Sequence, residues 1–202
     1  MNLPNRLTLT RIIMVPLFLF FLLPFPDWFI HLSIFSFMRE NLVSVNDFIK
    51  EYGNFIAAGI FILAASTDGL DGYIARKRKQ VTKFGKFLDP IADKLLVTAA
   101  LIALVQRGDL TGWAATIIIG REFIVTGLRL VASAEGIVIS ASKLGKIKTV
   151  SQMVAITAAL ININYILNFA FDQWAMFVAV IITIYSGYDY IMKNSDIIDM
   201  ES

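Results

Sequence analysis

Apolar runs broken by short polar or basic intervals set the rhythm of this chain. After Arg6 and Arg11 comes IIMVPLFLFFLLPFP, which predicts a first span over about residues 7–25. A second, about 53–76, is uncharged from Gly53 through Thr67, then meets Asp68 and Asp71 and ends near Arg76. A third runs over about 84–106, with its charges in the first half. The fourth, about 110–132, contains Arg121, Glu122 and Arg129. The fifth, about 146–169, is uncharged from Thr149 onward, and the sixth covers about 173–190. A bilayer crossing takes about 20 mostly apolar residues, so the pattern predicts six crossings. Residues 38–52 (MRENLVSVNDFIKEY) differ. Helical periodicity puts Leu42, Val45, Phe48, Ile49 and Tyr52 on one face and the charges on the other. That segment is too polar to span and predicts an amphipathic helix lying on the membrane surface.

Composition sharpens this picture. The 202 residues are 57% hydrophobic and only 17% charged, whereas soluble domains sit near 45–50% and 25%. The expected class is an all-α integral membrane protein, one domain over residues 1–202, with no repeat or linker to divide it. A secretory signal peptide is the competing reading of the first run, but Pro24, Phe25 and Pro26 are poor neighbours for cleavage and no A-x-A-like site follows. A net charge of +2 gives no sign of nucleic acid as a partner. Lysine and arginine set orientation. They gather at Arg6 and Arg11, over 76–86, and over 143–148, while the alternate loops are mixed. Six crossings then put both termini and both basic loops in the cytoplasm. Trp28, Trp113 and Trp174 fall near predicted outer ends of spans, as interface anchors do.

The charges inside the apolar runs carry the chemistry. Asp68 and Asp71 are three apart, and Asp89 and Asp93 four apart, so each pair shares one helical face. The short basic loop between makes their helices antiparallel neighbours, with Gly72 and Gly85 allowing close approach. Four carboxylates in one pocket repel, and their pKa values would rise. A charge at a helix centre also costs about 2.5–3.5 kcal/mol to insert. Divalent cations offset both costs. With no cysteine and His31 the only histidine, the ligands must be oxygen, which favours Mg²⁺, Mn²⁺ or Ca²⁺. Other readings remain open: Asp89 before Pro90 suits a helix N-terminus, and Asp68 and Asp71 could pair with Arg76 or Lys94.

Asp68, Asp71, Gly72, Ala75, Arg76, Gly85, Asp89 and Asp93 spell D-x2-D-G-x2-A-R-x8-G-x3-D-x3-D. In this the chain resembles the CDP-alcohol phosphotransferases. The stretches NLPNRLTLTRI, DPIADKLL, GREFIVTGLR and KLGKIKT are similar to the bacterial branch that makes phosphatidylglycerophosphate. The resemblance implies a reaction of CDP-diacylglycerol with sn-glycerol 3-phosphate, releasing CMP at the cytoplasmic face of the bacterial plasma membrane. It implies Asp68, Asp71 and Asp89 as ligands of two Mg²⁺ or Mn²⁺ ions, with Asp93 the catalytic base and a further metal contact. It also implies a nucleotide pocket lined by Gly72, Ala75, Arg76 and Gly85, and a homodimer.

Asn5, Thr8 and Arg11 recur at spacing three on the first helix. They are candidates for the nucleotide or its phosphates, or merely the interfacial end of the helix. The acceptor's unreacting phosphate calls for arginine or lysine, and Arg121, Arg129, Lys143, Lys146 and Lys148 are the candidates. Against this, Glu122 and Arg129 could pair with each other, and the lysines could serve topology alone. The core motif does not choose the acceptor, so serine or inositol phosphate remain alternatives. A transporter is a third reading, since acidic residues within spans occur there too.

Overall fold

The computed structural model describes residues 3–78, 83–134, 136–137, 139, 142–164 and 169–194, without the side chains of 3–7, 35, 68–78, 83–90, 93 and 134. Everything described is helix, turn or loop, with no strand among those residues. In chain order the elements are α1 (Leu3–Leu22), α2 (Asp27–Ile30), a 3₁₀ segment (Ser33–Met38), α3 (Arg39–Arg78), α4 (Lys83–Arg107), α5 (Gly112–Ala134), α6 (Lys143–Leu160) and α7 (Phe171–Lys193). They fall into two units, residues 1–103 and 104–202.

In the first unit α1 packs along α3. Phe18 and Phe61, both buried, meet with ring centroids 6.0 Å apart. The chain leaving α1 is tied back by Asn46, itself buried. The Phe25 N–H donates to Asn46 Oδ1 at 2.7 Å, and Asn46 Nδ2 donates to the Phe25 carbonyl at 3.3 Å. One side chain thus satisfies both polar groups of a backbone unit that no helix serves.

The amphipathic segment 38–52 and the second predicted span are one helix, α3, 40 residues long. The expectation of a separate surface helix ending near Gly53 is therefore corrected: no proline interrupts 39–78, and a glycine inside a helix lowers stability without ending it. Gly53 has a different role. A Cβ there would fall on the Phe21 carbonyl oxygen of α1, so the glycine lets the two backbones touch. Of the predicted apolar face only Ile49 is buried; Val45, Phe48 and Tyr52 stay exposed. Gly53→Ala is expected to lower stability by about 1–3 kcal/mol, the usual cost of overpacking. Thermal unfolding in detergent measures it, and an unchanged midpoint would refute the contact.

In the second unit α7 packs on both α5 and α6. α6 starts earlier than the apolar run suggests, because Ser142 caps it: its Oγ accepts from the Gly145 N–H at 3.0 Å. It also ends earlier than the predicted 169, at Leu160. Asn162 adopts φ 50°, a left-handed conformation that asparagine tolerates better than most residues. The return into α7 is fixed by Asp172, whose carboxylate accepts from Asn164 Nδ2 at 2.5 Å.

Burial along α7 inverts the soluble pattern. Thr183, Ser186, Gly187 and Tyr190 are buried, while Phe177, Ile181, Ile184 and Tyr188 are exposed. Polar inside and apolar outside suits a lipid surround, where hydrocarbon costs nothing to expose and an unpaired hydroxyl does. Two stretches among the described residues are long and apolar enough to cross a membrane, Ser36–Thr67 and Phe171–Lys193. The helices carrying Lys143 to Lys148, and Arg121 to Arg129, are more charged. Six crossings do not follow from helix length and composition alone.

Candidate functional site

Two groups of polar residues stand out. The first is the aspartate motif. Asp68, Asp71, Gly72, Ala75 and Arg76 lie near the C-terminal end of α3. Gly85, Asp89 and Asp93 lie in the first half of α4. The backbone supports helical spacing for both acidic pairs. It also removes one alternative: α4 has already begun at Lys83, so Asp89 and Pro90 do not start it. The side chains of all eight motif residues lie outside the described ones. Among the described residues no group of three histidine, cysteine or acidic side chains is placed to hold a metal. The donor set of the motif still fits one, since four carboxylates offer only hard oxygen ligands, the preference of Mg²⁺ and Mn²⁺.

On α1, Thr8 and Arg11 are each only 1% exposed, so their polar stripe faces protein rather than water. Asn5 belongs to the same helix, but its side chain lies outside the described ones.

The second group is an ionic cluster in the second unit. Ile118, Glu122, Val125 and Arg129 recur at spacings of four and three along α5. Glu122 does not pair with Arg129. Its Oε1 is shared by Lys148 Nζ from α6 and, at 3.7 Å, by Arg121 Nη1. Lys148 is nearly sealed off, its side chain 5% exposed. Arg121 Nη2 donates to Ser186 Oγ of α7 at 2.7 Å. Its Nε is buried and donates to nothing among the described residues. Arg129 Nε donates to the Tyr190 hydroxyl at 2.9 Å, with its guanidinium carbon 5.4 Å from that ring's centroid. Below the ions, Gln152 Nε2 donates to Thr183 Oγ1 at 2.9 Å, fixing α6 against α7.

The five basic candidates therefore separate. Arg121, Arg129 and Lys148 share one cluster, while Lys143 and Lys146 stand exposed at the start of α6. Lys148 is not held for topology alone, because a cation kept for orientation belongs in water rather than in a buried pair. Among the described residues, three cations gather about one carboxylate. Cations so gathered, with a buried guanidinium N–H that meets no acceptor among the described residues, suit a small anion with several acceptor oxygens.

Ser186, Gly187 and Tyr190 were not among the sequence candidates. The signal was present: hydroxyls at positions 183, 186 and 190 of an apolar segment repeat at helical spacing, and polar groups within such segments face protein.

Comparison with known proteins bears on the whole chain. A family model described as CDP-alcohol phosphatidyltransferase matches residues 1–185. The chain is 45% identical to a CDP-diacylglycerol–glycerol-3-phosphate 3-phosphatidyltransferase of Bacillus subtilis, covering 96% of this chain and 95% of that one. A protein of the same name from Rickettsia bellii is 35% identical over 94% and 93% of the two chains. A probable phosphatidylglycerophosphate synthase of Mycobacterium tuberculosis is 38% identical over 95% and 81%.

Proposed function

The chain belongs to the CDP-alcohol phosphatidyltransferase family, and on that premise we propose that it transfers the phosphatidyl group of CDP-diacylglycerol to sn-glycerol 3-phosphate. The products are phosphatidylglycerophosphate and CMP. The observation that carries this is identity of 45% over 96% of the chain to a relative named for that reaction. The cations gathered around Arg121 support it, because this acceptor brings a phosphate that does not react, whereas serine brings none.

In this reading Asp68, Asp71, Asp89 and Asp93 hold two divalent cations. When bound, Mg²⁺ or Mn²⁺ neutralises charge on the pyrophosphate and on departing CMP. The Asp93 carboxylate takes the proton from the acceptor hydroxyl. That oxygen bonds to the phosphorus bearing diacylglycerol, and the bond from this phosphorus to the oxygen of CMP breaks, the electron pair leaving with CMP. Gly72, Ala75, Arg76 and Gly85 line the nucleotide pocket, with Asn5 and Thr8 contributing from α1. Arg121, Arg129 and Lys148 bind the acceptor phosphate, and Lys143 and Lys146 draw anions toward it.

The setting follows from the substrates. Acyl chains must stay in lipid, while the nucleotide and the acceptor are water-soluble. We place the chain as one domain in the bacterial plasma membrane, crossing six times with both termini and the site at the cytoplasmic face, and working as a homodimer. Release of CMP from CDP-diacylglycerol tests the reaction. It is expected with Mg²⁺ or Mn²⁺ plus sn-glycerol 3-phosphate, and is expected to vanish on chelation and return on adding metal back. Release with serine or inositol phosphate instead would sink the acceptor assignment, and no release with any acceptor would sink the enzyme.

A further inference from the structure

We infer that one face of α7, formed by Ser186, Gly187 and Tyr190, sets the positions of Arg121 and Arg129 and so determines selectivity for an acceptor carrying a phosphomonoester. This rests on the acceptor-phosphate reading above and assigns work to three residues that bear no charge.

A long basic side chain is a poor receptor by itself. Arginine has many rotamers, and fixing them costs free energy that binding must supply. In this cluster α7 does the fixing in advance. Ser186 is fully buried and accepts from Arg121 Nη2. Tyr190, 3% exposed, accepts from Arg129 Nε and lays its ring against the guanidinium. Ser186 and Tyr190 are four apart, so one helical face holds both acceptors. Gly187 lies between them. A Cβ at that position would stand 3.1 Å from Arg121 Cγ, tighter than ordinary contact, so the missing side chain leaves room for the arginine stem.

Each hydroxyl uses one N–H of its arginine and leaves others. Arg121 keeps the buried Nε–H free of any described partner. Glu122 reaches Arg121 Nη1 only at 3.7 Å and also holds Lys148 with the same oxygen, so it does not close a bidentate pair on Arg121. Two guanidiniums, each held by its own hydroxyl and each with donors to spare, match the several oxygens of a phosphomonoester. An acceptor without that group leaves the donors unanswered.

Steady-state kinetics of CMP release test this. Ser186→Ala and Tyr190→Phe are each expected to raise KM for sn-glycerol 3-phosphate about tenfold, the scale of one hydrogen bond to a charged group. KM for CDP-diacylglycerol should move less than twofold, and kcat at saturating acceptor should fall far less than KM rises. Arg121→Ala should raise the acceptor KM further, and in its presence Ser186→Ala should add nothing, the non-additivity of coupled residues. Metal-dependent binding of CDP-diacylglycerol checks that each variant is folded. If Ser186→Ala does not fold, Tyr190→Phe, which keeps the ring, decides the matter. An unchanged acceptor KM in the folded α7 variants, or full additivity with Arg121→Ala, overturns the positioning role while leaving the acceptor site standing. An unchanged acceptor KM in Arg121→Ala overturns the acceptor site itself.

Discussion

Asp93→Asn is expected to lower kcat by about 10²–10⁴-fold, the contribution of a positioned general base, while metal-dependent binding of CDP-diacylglycerol survives. The substitution is nearly isosteric and removes one charge. Asparagine cannot take the proton of the acceptor hydroxyl, so the attacking oxygen stays a weak nucleophile. Three carboxylates, those of Asp68, Asp71 and Asp89, remain for the cations. Equilibrium binding of the lipid nucleotide with and without Mg²⁺, set beside kcat, separates the two roles. A variant turning over at the wild-type rate removes Asp93 as the base. A variant that loses metal-dependent binding together with turnover makes Asp93 chiefly a ligand. The matching loss at Asp68 should fall first on binding, since that residue serves only the metal in this scheme.

Much of the helical frame was legible in the chain because apolar runs of this length leave few alternatives. Predicted bounds of 84–106, 110–132 and 173–190 lie within about a turn of α4, α5 and α7. The failures have physical causes. Gly53 reads as a boundary in sequence, yet it lies inside α3 because its partner, the Phe21 carbonyl, is remote along the chain. Asn162 ends α6 through a left-handed backbone angle, which an apolar window of LININYIL conceals. The acidic motif was legible as two carboxylate pairs at helical spacing, and the backbone of α3 and α4 has that spacing. The ionic cluster was legible only as a set of candidate charges. Spacing offered Glu122 and Arg129 to each other, and tertiary packing gave Glu122 to Lys148 and Arg129 to Tyr190.

That reassignment explains why the chain tolerates an acidic residue among apolar ones at α5. Lys148 is nearly sealed from solvent, and an unpaired buried cation is far more costly than a paired one. Glu122 contributes one partner to Lys148, while Arg121 and Arg129 reach hydroxyl groups on α7. Pairing both arginines with carboxylates would neutralise the cluster and leave nothing for an anion.

Glu122→Ala is accordingly expected to lower stability, because it removes one partner of a buried ion pair. Lys148→Met should cost less, because its stem is replaced by apolar volume and Glu122 retains Arg121 at 3.7 Å. The double variant should recover part of the loss, since neither member of the Lys148–Glu122 pair then remains. Thermal unfolding in detergent across this cycle measures the coupling, and strict additivity of the two single losses would refute the pairing. The Glu122→Ala protein carries one negative charge fewer at this cluster than the parent. Its unfolding midpoint should therefore rise more steeply with added sn-glycerol 3-phosphate than that of the parent, by the stabilisation any ligand of the folded state confers. Glycerol without the phosphate should have no such effect. If glycerol and sn-glycerol 3-phosphate act alike on that midpoint, the cluster is a structural ion network and not the acceptor's anion site.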